Sequence, residues 1–62
     1  MRVKIGDRVL CVFMGVEHYG VVIEGGKVQL DKGTILPNIK TKENNVDNRP
    51  WHIVKKVKPH IK

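Results

Sequence analysis

A chain of 62 residues has room for one domain and one modest core. Twelve Lys and Arg against six Asp and Glu leave a formal charge of +6, a field that draws polyanions and speeds their encounter. One cysteine excludes an internal disulfide and with it a stapled secreted mini-protein. No apolar run approaches the roughly 20 residues that span a bilayer, so a reducing, cytoplasmic setting is expected.

Nothing in the chain carries apolar residues at helical spacing, and Val and Ile dominate the apolar set, as a pleated surface prefers. Arg2-Val3-Lys4-Ile5 alternates polar and apolar before a turn at Gly6-Asp7. Arg8 to Met14 is nearly all apolar, which predicts a strand covered on both faces or strongly curved. Gly15 to His18 has the length of a hairpin connection. Tyr19 to Glu24 forms the next strand, with Gly20 marking a bulge or a close backbone approach. Gly25-Gly26 between strands permits positive φ at two successive positions, as a tight hairpin demands. Lys27 to Asp31 alternates, with Val28 and Leu30 on one face. Thr34 to Ile39, broken by Pro37, suits only an edge.

Residues 40–50 hold a single apolar side chain, too little to offset their ordering entropy, and are expected to form a long exposed loop before the last strand. Trp51 to Val57 supplies that strand. The reading is all-β: one small SH3-like barrel of about five strands spanning residues 1–62. The expected inside is Val3, Ile5, Val9, Val28, Leu30, Trp51, Ile53 and Val57. Trp51 is expected to anchor the packing, because Phe13 and Tyr19 are the only other aromatics and too few for base stacking.

Parity along the C-terminal strand puts Trp51, Ile53 and Val57 on one face and His52, Lys56, Lys58, His60 and Lys62 on the other. Lys55 and Val54 are exceptions to it. Chain ends tend to lie close together, so Arg2, Lys4, Lys56, Lys58 and Lys62 are expected to form one basic patch that contacts phosphates. The polar loop offers Lys40, Lys42, Asn44, Asn45 and Arg49 as a protein-binding surface. Cys11, His18, His52 and His60 lack the paired close spacing of metal ligands, no two carboxylates form an acid–base pair, and no phosphate-cradling loop precedes a helix. No cofactor, metal or catalytic residue is therefore expected.

Two resemblances add to this reading. Gly6-Asp7-Arg8-Val9, Gly15, Gly20-Val21-Val22-Ile23 and Val28-Gln29-Leu30 resemble the small barrels of the KOW and Tudor type. That likeness implies five twisted strands and a binding role toward RNA, DNA or another protein; the 40–50 loop departs from the short connection expected there. Gly6-Asp7, His18-Tyr19-Gly20-Val21-Val22-Ile23 and Gly25-Gly26-Lys27-Val28 are similar to the histidine segment of the lecithin–retinol acyltransferase group. There a His at the start of a strand is base to a later Cys. His18 matches the base, but no cysteine follows it, so the likeness implies a reduced, non-catalytic relative or a fragment. Two partners stay open: nucleic acid held through its phosphates, or a larger protein bound in the manner of a phage-type accessory or inhibitor. Self-association through sheet edges across a two-fold axis is a further possibility.

Overall fold

The computed structural model describes residues 2–46 and 48–58. The fold is all-β: β1 (Arg8–Phe13), β2 (Val16–Ile23), β3 (Lys27–Leu30), β4 (Ile35–Leu36) and β5 (Trp51–Lys56) form one antiparallel sheet in the order β4-β3-β2-β1-β5. A single 3₁₀ turn, Lys42–Asn44, precedes β5. Among the described residues no helix is long and apolar enough to cross a membrane.

Three hairpins generate the first four strands. The β1–β2 connection is only Met14-Gly15, both at positive φ (54° and 81°), the signature of a type I′ turn. The longer Gly15–His18 connection expected from sequence is thus replaced by strand, because β2 already pairs from Val16. Ile23 pairs with Lys27, leaving a three-residue loop in which Gly25 and Gly26 take φ of 82° and 70°. Glu24 joins the two glycines, so this hairpin is one residue longer than a two-residue turn. β4 is a two-residue edge strand ending before Pro37, which has no N–H to give to a ladder.

Alternation puts Val9 and Cys11 on the core face of β1. Val22 of β2, Val28 and Leu30 of β3, Leu36 of β4 and Ile53 of β5 join them in one cluster with Ile39. Leu10 is also buried but stands on the opposite face of β1, between Tyr19 of β2 and Lys55 of β5. β1 therefore reads as continuously apolar because both of its faces are covered.

The sheet is open: its edges, β4 and β5, are not paired to each other. The chain between them crosses the end of the core instead. Trp51 Nε1 donates to Pro37 O (3.0 Å), Ile53 N–H donates to Lys40 O (2.8 Å), and Thr41 forms a parallel bridge with Ile53. Residues 37–41 thereby cover the outer edge of β5 and bury Ile39 and Thr41.

Two sequence expectations are corrected here. Arg2 to Ile5 does not form a strand. Lys4 N–H donates to Asp7 Oδ2 (2.9 Å) and Asp7 N–H donates to Lys4 O (3.0 Å), closing a turn that breaks the alternation. Val3 consequently packs on the core, whereas Ile5 is 68% exposed and leaves the expected inside; Val57, beyond the irregularity in β5, is half-buried and also lies outside the core cluster. In β5 the register jumps: Cys11 faces Ile53 but Leu10 faces Lys55, so Val54 is the extra residue of a bulge. A bulge inverts parity, which accounts for the exceptions at Val54 and Lys55. It also separates His52, opposite Val12 on the outer face, from Lys56, opposite Val9 on the core face at the rim. The single uninterrupted basic face expected along this strand is therefore split.

Candidate functional site

The two chain ends meet where β1 begins and β5 finishes. Gly6 N–H donates to Val22 O (2.8 Å), Val22 N–H donates to Asp7 O (2.9 Å), and Val57 N–H donates to Arg8 O (2.8 Å). These bonds extend the ladder on both sides of β1 past its last regular pair. The result is an open groove of about 410 Å³ lined by Gly6, Asp7, Arg8, Lys56, Val57 and Lys58. Val57 is the apolar side chain of the lining; Asp7, Arg8, Lys56 and Lys58 bring charge to it.

That charge is organised by two carboxylates. Asp7 Oδ2 accepts the Lys4 backbone N–H and lies 3.5 Å from Lys56 Nζ. The Lys4 N–H, and behind it the Lys56 ammonium, hold the Asp7 carboxyl below its ordinary value of 3.8. Arg8 is engaged differently. Its guanidinium makes a two-pronged pair with Asp31 (Nη1–Oδ1 2.9 Å, Nη2–Oδ2 2.6 Å) and lies 5.6 Å from the centre of the Tyr19 ring. Hydrogen bonds from Arg8 likewise hold Asp31 below its ordinary 3.8. The Arg8 fork is thus committed to the fold, while Lys56 makes one long contact and keeps half its side chain in solvent.

Of the residues expected in a terminal basic patch, Lys56 and Lys58 line this groove, and Lys4 borders it through its turn with Asp7. Arg2 is exposed on the segment leading into that turn. Lys62 and His60 lie outside the described residues. Sequence reading missed Asp7, which it took as a turn residue only. The signal was available: an Asp three residues after a potential N–H donor closes its own turn and leaves a carboxylate beside any neighbouring cation.

Most described residues of the 40–50 segment are exposed, as its composition predicts, but the segment carries the 3₁₀ turn Lys42–Asn44 and buries Thr41. Lys40, Lys42 and Asn44 are exposed, and Asn45 and Arg49 are half-buried. The Asn45 amide closes the loop on itself: Nδ2 donates to Arg49 O (3.3 Å), and Oδ1 accepts the Arg49 N–H (3.2 Å). An apolar count does not register such local hydrogen bonds. Val46, near the tip, is 83% exposed.

The remaining candidate chemistry sits in the core. Cys11 pairs with His18 across β1 and β2, yet the thiol is fully buried and desolvation pushes its pKa up to about 11. A nucleophilic thiol needs the opposite shift. His52 lies on the other face of the sheet, and among the described residues no three His, Cys, Asp or Glu side chains gather to hold a metal. Trp51 packs half-buried beside Phe13 (ring centroids 5.9 Å) with its N–H engaged by Pro37, so the indole is an anchor at the far end of β5 from the groove.

Comparison with protein families, with curated proteins and with solved structures gives no significant match.

Proposed function

We propose that this chain is a non-catalytic binding module that holds nucleic acid by its phosphates, using the groove between its two ends. The observation that carries the reading is that Lys56 and Lys58 line one open groove, bordered by the Lys4–Asp7 turn, in a chain of net charge +6. Phosphodiester groups are the polyanion such a surface fits. Lys supplies point charges at the end of long stems, and contacts to phosphate ask for no particular base. We further read the curved sheet and its 37–41 crossing as a small barrel of the SH3-like kind acting in the cytoplasm. Strand order, the buried core between the crossing and the sheet, and a single cysteine support that reading.

The test is binding to a random duplex and a random single strand at about 50 and 200 mM salt. Three to four phosphate contacts predict a loss of affinity on the order of fifty- to a hundredfold across that range. Replacing Lys56 and Lys58 by Met should remove most of the binding while leaving the thermal melt unchanged. Absence of any complex at the lower salt would refute the reading.

A second reading rests on the other basic surface. An exposed Val46 presented by a loop that Asn45 braces, with Lys40 and Lys42 beside it, is a preformed contact for a larger protein. An ordered loop loses little entropy on docking. Failure of the nucleic-acid test with a folded protein would favour this alternative.

A further inference from the structure

The groove's cations are not equivalent, and the difference lies in their counter-ions. Arg8 donates two short, parallel hydrogen bonds to Asp31, a geometry that an incoming phosphate does not displace without loss. Lys56 has one contact, 3.5 Å to Asp7 Oδ2, and its side chain is 49% exposed. Exposed single-contact ion pairs contribute little and exchange readily. Asp7, by contrast, cannot swing away, because the same Oδ2 accepts the Lys4 backbone N–H inside a closed turn. A mobile cation is therefore parked on a fixed carboxylate at the wall of the groove.

Resting on the nucleic-acid reading above, we propose that Asp7 is a built-in competitor for the phosphate backbone, holding Lys56 in the free protein and setting how tightly the groove binds. A phosphodiester entering the groove must take Lys56 from Asp7 and then lie close to the carboxylate that released it. Both effects lower affinity. Neither depends on sequence, so Asp7 moderates the general attraction of a chain of charge +6 and keeps the interaction reversible.

Neutral side chains that keep an oxygen acceptor for the Lys4 N–H separate this role from a structural one. Asp7→Asn and Asp7→Ser are the variants, with thermal melts verifying the fold of each and binding measured on a random duplex across a salt series. Release of one full cation should steepen the slope of log affinity against log salt by about 0.9 and tighten binding about eightfold near 0.1 M salt. In a Lys56→Met background the same Asp7 substitutions should tighten binding by a clearly smaller factor, because only the repulsion between carboxylate and phosphate is left to remove. If wild type binds with salt dependence but both folded Asp7 variants bind equally or more weakly, the inference is overturned and the nucleic-acid reading stands. Equal tightening with and without Lys56 would overturn the parked-lysine role, leaving only a general charge effect. If neither wild type nor the Asp7 variants bind, the nucleic-acid reading falls and takes this inference with it.

Discussion

Gly20 stands in the middle of β2, opposite Val9 on one side and Leu30 on the other. A Cβ there would lie 2.7 Å from Gln29 O and 2.8 Å from Val28 Cγ1, so the position is closed by backbone as well as by side chain. β2 and β3 approach at this point as only a residue without a side chain allows. Gly20→Ala should therefore destabilise by about 1–3 kcal/mol through overpacking, measurable as a lower urea midpoint with an unchanged slope. An unshifted midpoint would show that β3 yields at no cost. Met14 presents the reverse case: φ is 54°, the side chain is 67% exposed, and a residue with a Cβ is held in the left-handed region. Met14→Asn, which tolerates that region, should gain up to about 1 kcal/mol because little packing is lost. A destabilised Met14→Asn in chemical denaturation would mean the Met side chain is doing more at the hairpin than its exposure indicates.

At the scale of elements, β1 and β5 decide the arrangement of the groove. β1 is central, paired with β2 along one edge and β5 along the other, and it is apolar on both faces because both are covered. Its character was legible from RVLCVF alone. The bulge at Val54 was not, since a bulge is set by how two strands meet and not by the alternation of either one. Val54 and Lys55 nevertheless left a trace as the two residues that broke parity. The segment before β5 teaches a related lesson. Counting apolar residues in 40–50 predicted an exposed loop, but Thr41 is buried against Ile53, and the Asn45 amide supplies bonds that composition does not count.

Charge acts on the whole molecule. Asp7 and Asp31 are both held below their ordinary carboxyl values in the folded state, the first chiefly by the Lys4 N–H and the second by Arg8. A group whose folded pKa is depressed lends stability that is fully present above its unfolded value. That contribution is lost as pH falls through the folded one. Melting temperature should therefore be level above about pH 5 and fall below about pH 4, as both carboxylates protonate and the cations repel one another. The Asp7→Asn, Asp31→Asn double variant should show a shallower fall; an identical acid transition would place the sensitivity elsewhere.

By itself the sequence determined the all-β class, most of the strands, part of the inside (Val9, Val28, Leu30 and Ile53, with Val3 and Trp51 packed against them) and the excess of positive charge. Each of these follows from residue type and local spacing: β-branched alternation, glycines at turns, and a count of ionisable groups. Tertiary structure alone decided that Ile5 faces water, that Val54 bulges, that 37–41 covers the edge of β5, and that Lys56 and Lys58 line one groove with Asp7, whose turn Lys4 closes. Those outcomes depend on which backbone meets which across the fold. A turn closed by one carboxylate and a register shifted by one residue turn a general basicity into a particular groove.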